Sequence, residues 1–163
     1  MAVDMFLKLD GIDGESTKSK NEGWIELHSW SFGATNHSAS AHGSGMGTGK
    51  AEFAPITIQK TVDKASPKLF LNCCQGSHIK TASLQVKEST GGKTTETYLQ
   101  YDLEKVKVDS ITWGGQGATP EKPSEQISLS FQKITVSYWP QKPDGTLGAK
   151  IPAGWDVSKN EKV

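Results

Sequence analysis

The stretch HGSGMGTGK, His42 to Lys50, sets alternate glycines ahead of a lysine, the residue types that cradle the phosphates of a nucleotide. A P-loop needs a glycine, four residues, then Gly-Lys and a hydroxyl residue. Anchored on Gly49 and Lys50, those positions fall on Ser44 and Ala51, so the pattern fails at both ends. The dinucleotide spacing fails too, because Gly43 and Gly45 meet Thr48 where the third glycine belongs. The segment that follows, AEFAPITIQK, reads as a strand, whereas phosphate loops lead into a helix N-terminus.

The remaining candidates fare no better. Ser44 lies between glycines, but a nucleophile elbow needs them two residues away on each side, and His42 occupies one such position. His37 and His42 lack a third ligand at metal spacing, and the adjacent Cys73 and Cys74 do not make a C-x-x-C site. Asp10 and Asp13 are three apart, where a calcium loop sets its first acidic ligands two apart. No catalytic, cofactor-binding or metal-binding residue is assigned, and the chain is not expected to be an enzyme. What remains is a long loop, roughly Ala34 to Thr48, without a charged residue. Such a loop either engages a partner without desolvating an ion or is a plain surface connection, and composition leaves the two readings level.

The whole chain sets the frame. Its 163 residues suit one domain, 1–163, with enough material for a core. Eighteen basic and eighteen acidic side chains cancel, so no long-range field draws the protein to nucleic acid or an anionic membrane. Every basic residue is lysine. Without arginine the planar fork that reads phosphate and guanine is missing, and neither partner is expected. No segment approaches the roughly 20 apolar residues of a membrane helix. The opening MAVDMFLKLDGIDGE carries Asp4 and no apolar run of signal-peptide length. Folding in the cytoplasm is expected, with any export by a route that ignores signal peptides. Neighbouring cysteines rarely form the strained disulfide between them, which fits a reducing compartment.

Period-two alternation dominates. VDMFLKLD, WIELHSWSFG (Trp24 to Gly33) and AEFAPITIQK read as strands, with GIDGESTKSKNEG as a polar loop. Strict alternation along the second strand puts Ser29 and Ser31 on the face of Ile25 and Leu27, opposite Trp30. The helix is SPKLFLNCCQG, with Ser66 as N-cap, Pro67 at the first helical position and Gly76 ending it in the left-handed conformation. Leu69, Phe70 and Cys73 form its apolar face. TASLQVKES and TETYLQYDLEKVKV flank TGGK as a hairpin. In the second of these, Leu99, Tyr101 and Leu103 share one phase while Val106 and Val108 take the other; Ile127, Leu129 and Phe131 give way to Ile134, Val136 and Tyr138 in the same manner. A slip of one residue moves every side chain across the sheet, so each long strand should contain a bulge or corner. Strands that turn corners build barrels or orthogonal sheets. The expectation is an all-β domain with one short helix, in which Trp30 and Trp113 join the core and Trp139 and Trp155 are the candidates for exposure.

Taken in order, MAVDMFLKLDGIDGES, SWSFG, the glycine-rich loop, DKASPKLFLNCCQGSH, EKVKVDSITWGG, SYWPQKPDG and GWDVSKN resemble the haemolysin-coregulated proteins (Hcp) of bacterial type VI secretion, along the whole chain. The resemblance implies a compact β-barrel of two antiparallel sheets with a flanking α-helix. It implies a homohexamer whose stacked rings form a tube inside a contractile sheath, with a spike protein at the tip and effector proteins in the lumen, protected there before secretion. It places Ser31, and by alternation Ser29, toward the lumen and its cargo. It places Gly43, Ser44, Gly45, Met46, Gly47, Thr48 and Gly49 in a loop that reaches neighbouring subunits and the next ring. On that reading the glycines serve assembly, by allowing close backbone approach. The alternative is a stand-alone β-sandwich that binds carbohydrate or protein, kept open by five tryptophans.

Overall fold

The computed structural model describes residues 3–37, 49–89 and 95–163. Its elements in chain order are β1 (Val3–Leu9), β2 (Ile25–Leu27), β3 (Ser29–Ser31), β4 (Ala34–Asn36), β5 (Ala51–Phe53), β6 (Ile56–Thr61), α1 (Ser66–Gln75), β7 (His78–Ser89), β8 (Thr95–Gly114), β9 (Ser124–Ser130), β10 (Lys133–Tyr138), β11 (Ile151–Asp156) and β12 (Glu161–Lys162). The strands form two antiparallel sheets, one of ten strands and one made of β4 and β5 alone. In the large sheet β1 pairs with β2 and β7, β7 with β8, β8 with β9 and β10, and β9 with β6. β6 then pairs with β3, which only His28 separates from β2. The hydrogen-bonded path therefore returns to the stretch of chain from which it set out. Leu7, Leu9, Ile25, Ile58, Leu84, Leu103, Val106, Ile127 and Leu129 pack inside it.

The phase flips of the sequence have physical causes. In β8, Leu103 and Val106 are both buried, and between them Lys105 adopts φ +52°, a left-handed conformation uncommon for a side chain with a Cβ. There β8 exchanges one neighbour for another: Leu99 to Glu104 pair with β10, and Lys107 onward with β9. A register shift between Val108 and Ser110 adds a bulge. The partner breaks at the same level, β9 ending at Ser130 and β10 beginning at Lys133. The expected hairpin between β7 and β8 is paired out to Ser89 and Thr95, while the connection between them lies outside the described residues.

Three local expectations are corrected. Trp24 to Gly33 is not one strand but β2 and β3 with a bend at His28. Ile25 and Leu27 point inward before the bend, whereas after it Trp30 turns in against Tyr101 and Ser29 and Ser31 turn out. AEFAPITIQK is likewise two strands, broken at Pro55, which lacks an N–H and restricts the residue before it. Ser66 is the first helical residue rather than the cap; Ala65 occupies that position without a side-chain cap bond. The Ser66 hydroxyl instead accepts from the Asp63 amide and the Lys60 ammonium and donates to Glu125, which exhausts its bonding capacity. The other end holds as expected, with Gly76 at φ +63° donating its N–H to the Cys73 carbonyl.

Candidate functional site: a neutral outward face

The bend at His28 separates two jobs. An aromatic cluster of Trp30, Phe32, Phe53, Phe131 and Tyr101 fixes β3 from within, with ring centroids 5.1 to 6.2 Å apart. Each such pair contributes about 0.5–1.5 kcal/mol beyond its burial. With Trp30 held inward, Ser29 and Ser31 have only the outer face to occupy.

Register then lays their neighbours beside them. Ser29 stands opposite Gln59, Gln59 opposite Gln126, and Gln126 opposite Thr112. One rung along, Ser31 stands opposite Thr57, Thr57 opposite Ser128, and Ser128 opposite Ser110. Ser31, Gln59, Gln126, Thr112 and Ser110 are exposed, while Ser29, Thr57 and Ser128 are half-buried. The result is a lattice of hydroxyls and amides across four strands without an ionisable group. Ionisable groups stand at both ends: Lys107 and Asp109 at one, where the Asp109 carboxylate accepts from Ser130 at 3.0 Å, and His28 at the other, with its Nε2 2.7 Å from the Thr61 hydroxyl. Resemblance and simple alternation singled out the two serines. The other six were missed, because pairing between distant strands has no local signal in a sequence.

Beneath the lattice lies the opposite chemistry. The inward residues next to Gln59 and Gln126 are Lys60 and Glu125, each 1% exposed and joined in a salt bridge. Lys60 Nζ also reaches Asp63 Oδ1 at 2.8 Å and the Thr61 carbonyl at 3.2 Å. The second Glu125 oxygen accepts the Trp113 indole N–H at 2.8 Å. Trp113 was expected in the core, yet it is 49% exposed, because β8 outruns the core there; Phe70 of α1 lies against the ring, 5.4 Å away. Phe70, expected on the buried face of the helix, is correspondingly 46% exposed. Trp139 and Trp155, the candidates for exposure, are half-buried; Trp155 packs on the core and Trp139 lies under the Lys150 ammonium.

The glycine-rich loop is reached only at its foot. Gly43, Ser44, Gly45, Met46, Gly47 and Thr48 lie outside the described residues. Gly49 is described, and a Cβ there would overlap the His37 carbonyl oxygen. Asn36 donates from Nδ2 to the Gly49 carbonyl at 3.0 Å. The close approach that demands glycine at this position is therefore made within the chain. Ala34 to Asn36, expected as loop, pair with β5.

Elsewhere, a cleft of about 550 Å³ opens over β1, β7, β8 and β10, with Lys8, Asp10, Asp102, Glu104 and Lys133 on its walls. Its charges mix in sign, and Lys133 and Glu104 meet at 3.3 Å. The two outer faces of the same molecule thus differ in kind.

Known proteins resemble this chain in sequence and fold. The family model described as type VI secretion system effector, Hcp, matches residues 6–138. The protein Hcp1 of Pseudomonas aeruginosa is 34% identical over 161 residues, 98% of each chain. A solved structure described as a type six secretion system protein superposes with a TM-score of 0.91 at 34% identity, covering 99% of this chain and 100% of that one. Hcp1 from Salmonella typhimurium follows at a TM-score of 0.83 and 32% identity, with 100% of both chains covered. A bent, two-sheet β domain with one helix, matched to these proteins from end to end, belongs to the Hcp family of the type VI secretion system.

Proposed function

We propose that the whole chain, 1–163, is one tube subunit: six copies close into a ring, and the lattice around Ser29 and Ser31 lines the hole. Rings stack inside a contractile sheath behind a spike protein, carry effector proteins in the lumen, and leave the cell when the tube is fired. The role is structural and protective rather than catalytic. The observation that carries it is the pair of unlike free edges bounding the neutral face. Among the described residues β3 pairs only with β6, and β8 beyond Val108 pairs only with β9. A closed ring of identical copies requires a heterologous contact between two different patches. Unpaired strand edges invite such contacts, and one of each per subunit lets the sheet continue around the ring. The segment from Gly43 to Gly49 is assigned to contacts between subunits or rings, on its composition of four glycines in seven residues and no charge.

A sugar-binding sandwich has less support. The half-exposed Trp113 already stacks on Phe70, and Trp139 lies under Lys150. The test of the lumen assignment is Ser31→Gln, which adds bulk to the face without charge. Rings should form as in the parent while retention of a co-expressed effector falls. Retention at parental affinity by intact variant rings contradicts the assignment.

A further inference from the structure

The strands that carry the outward lattice do not lack charge. β6 and β9 contain Lys60 and Glu125, but both are turned inward, where an ion is costly to place, and the solvent side holds Thr57, Gln59, Gln126 and Ser128. Gln59 and Gln126 sit directly opposite each other at the centre of the face, each with an amide that donates and accepts. An ionised cargo group set against the centre of this surface loses water and meets no counter-charge among the eight lattice residues. A neutral donor or acceptor exchanges water for an amide or hydroxyl on nearly equal terms.

We infer that this face selects cargo by neutral hydrogen bonding, favouring polypeptide surface rich in backbone amides and in Ser, Thr, Asn and Gln, with Gln59 and Gln126 as the central contacts. The inference rests on the tube reading, since only a ring turns six copies of the face toward one enclosed partner. Repetition around the hole sums weak contacts into retention. Because no ion pair contributes, retention is insensitive to salt, unlike the steering of a charged ligand by a charged cleft.

The test uses full-length protein assembled into rings and three labelled peptides of equal length. One contains only Gly, Ser, Thr, Asn and Gln; the others carry lysine or glutamate at every third position. Fluorescence anisotropy should show the neutral peptide binding with a Kd that changes less than about twofold between ~0.05 and ~0.5 M sodium chloride. Both charged peptides should bind at least about tenfold more weakly. Gln126→Glu should weaken the neutral peptide about tenfold and create salt-sensitive binding of the lysine peptide. Gln59→Glu serves as an independent second variant with the same expectation.

Sedimentation of the same samples separates the two claims. Intact rings that bind none of the peptides, that prefer a charged one, or that ignore both substitutions overturn the inference and leave the tube reading standing. Variants that stay folded but no longer form rings would place this face between subunits, and both would fall.

Discussion

β6 and β9 lie side by side and carry opposite chemistry on their two faces. Outward, Thr57, Gln59, Gln126 and Ser128 offer only hydroxyls and amides, where a charge would cost almost nothing. Inward, Lys60 and Glu125 hold full charges at 1% exposure, where placing one is expensive. The inward ions persist because neighbours satisfy them: Asp63, Ser66 and the Thr61 carbonyl around the ammonium, Ser66 and Trp113 around the carboxylate. That network ties β6, β8, β9 and the start of α1 into one geometry. Outward neutrality is therefore not a failure of these strands to hold charge. It suits the contact with another protein that we propose for this surface.

The largest effect should come from breaking the inward side. Glu125→Ala leaves Lys60 buried with Asp63 as its one remaining acidic partner, and should lower the unfolding free energy by about 3–5 kcal/mol. The double replacement Lys60→Met with Glu125→Leu removes both ions and should recover most of that loss. Urea midpoints of parent, single and double variants check it. A double variant as unstable as the single one would show that the network, rather than the pair, carries the stability.

Trp113→Phe tests the rim between the two faces. It keeps an aromatic ring beside Phe70 but deletes the donor to Glu125, so a loss of about 1.5–3 kcal/mol is expected, as for a hydrogen bond to a charged group. An unchanged melt would show that this bond contributes no net stability.

Lys87 sharpens the comparison with the smallest effect. It is also buried, but its ammonium has the Phe6 ring, 5.8 Å to the centroid, where Lys60 has carboxylates. Burial lowers its pKa below 10.5; Lys20 adds to the shift and Asp4 opposes it. At this site the unfolded chain therefore binds more protons than the folded one in the window just below pH 10.5, so the Lys87 contribution to stability rises with pH there, while the raised pKa values of Tyr98 and Tyr101 work in the opposite direction. In a denaturation series across that window, the stability of the parent relative to Lys87→Met should rise with pH.

How much of this was legible depends on the range of the causes. The corners in β8 and between β9 and β10 were visible because each flips a long alternation, and Leu103 to Val106 cannot be read in one phase. The end of α1 was visible because Gly76 acts locally. The start was misread because Ser66 answers to Glu125, 59 residues away, rather than to its own helix. His28 hid the bend between β2 and β3, since a single-residue break leaves the pattern around it looking continuous. Trp113 was misplaced for a related reason: alternation gives its phase but not the fact that the strand has run past the core. The serines were found from the family resemblance, and the glutamines across the sheet from Ser29 only once register was known.

The central claim is that the neutral face lines the hole of a six-membered ring. Electron cryomicroscopy of the purified protein tests it most directly. The account predicts a closed ring of six 17.6 kDa subunits with Ser31, Gln59 and Gln126 on the wall of the central hole. A map that puts those residues on the outer rim, or particles of any other symmetry, would contradict it.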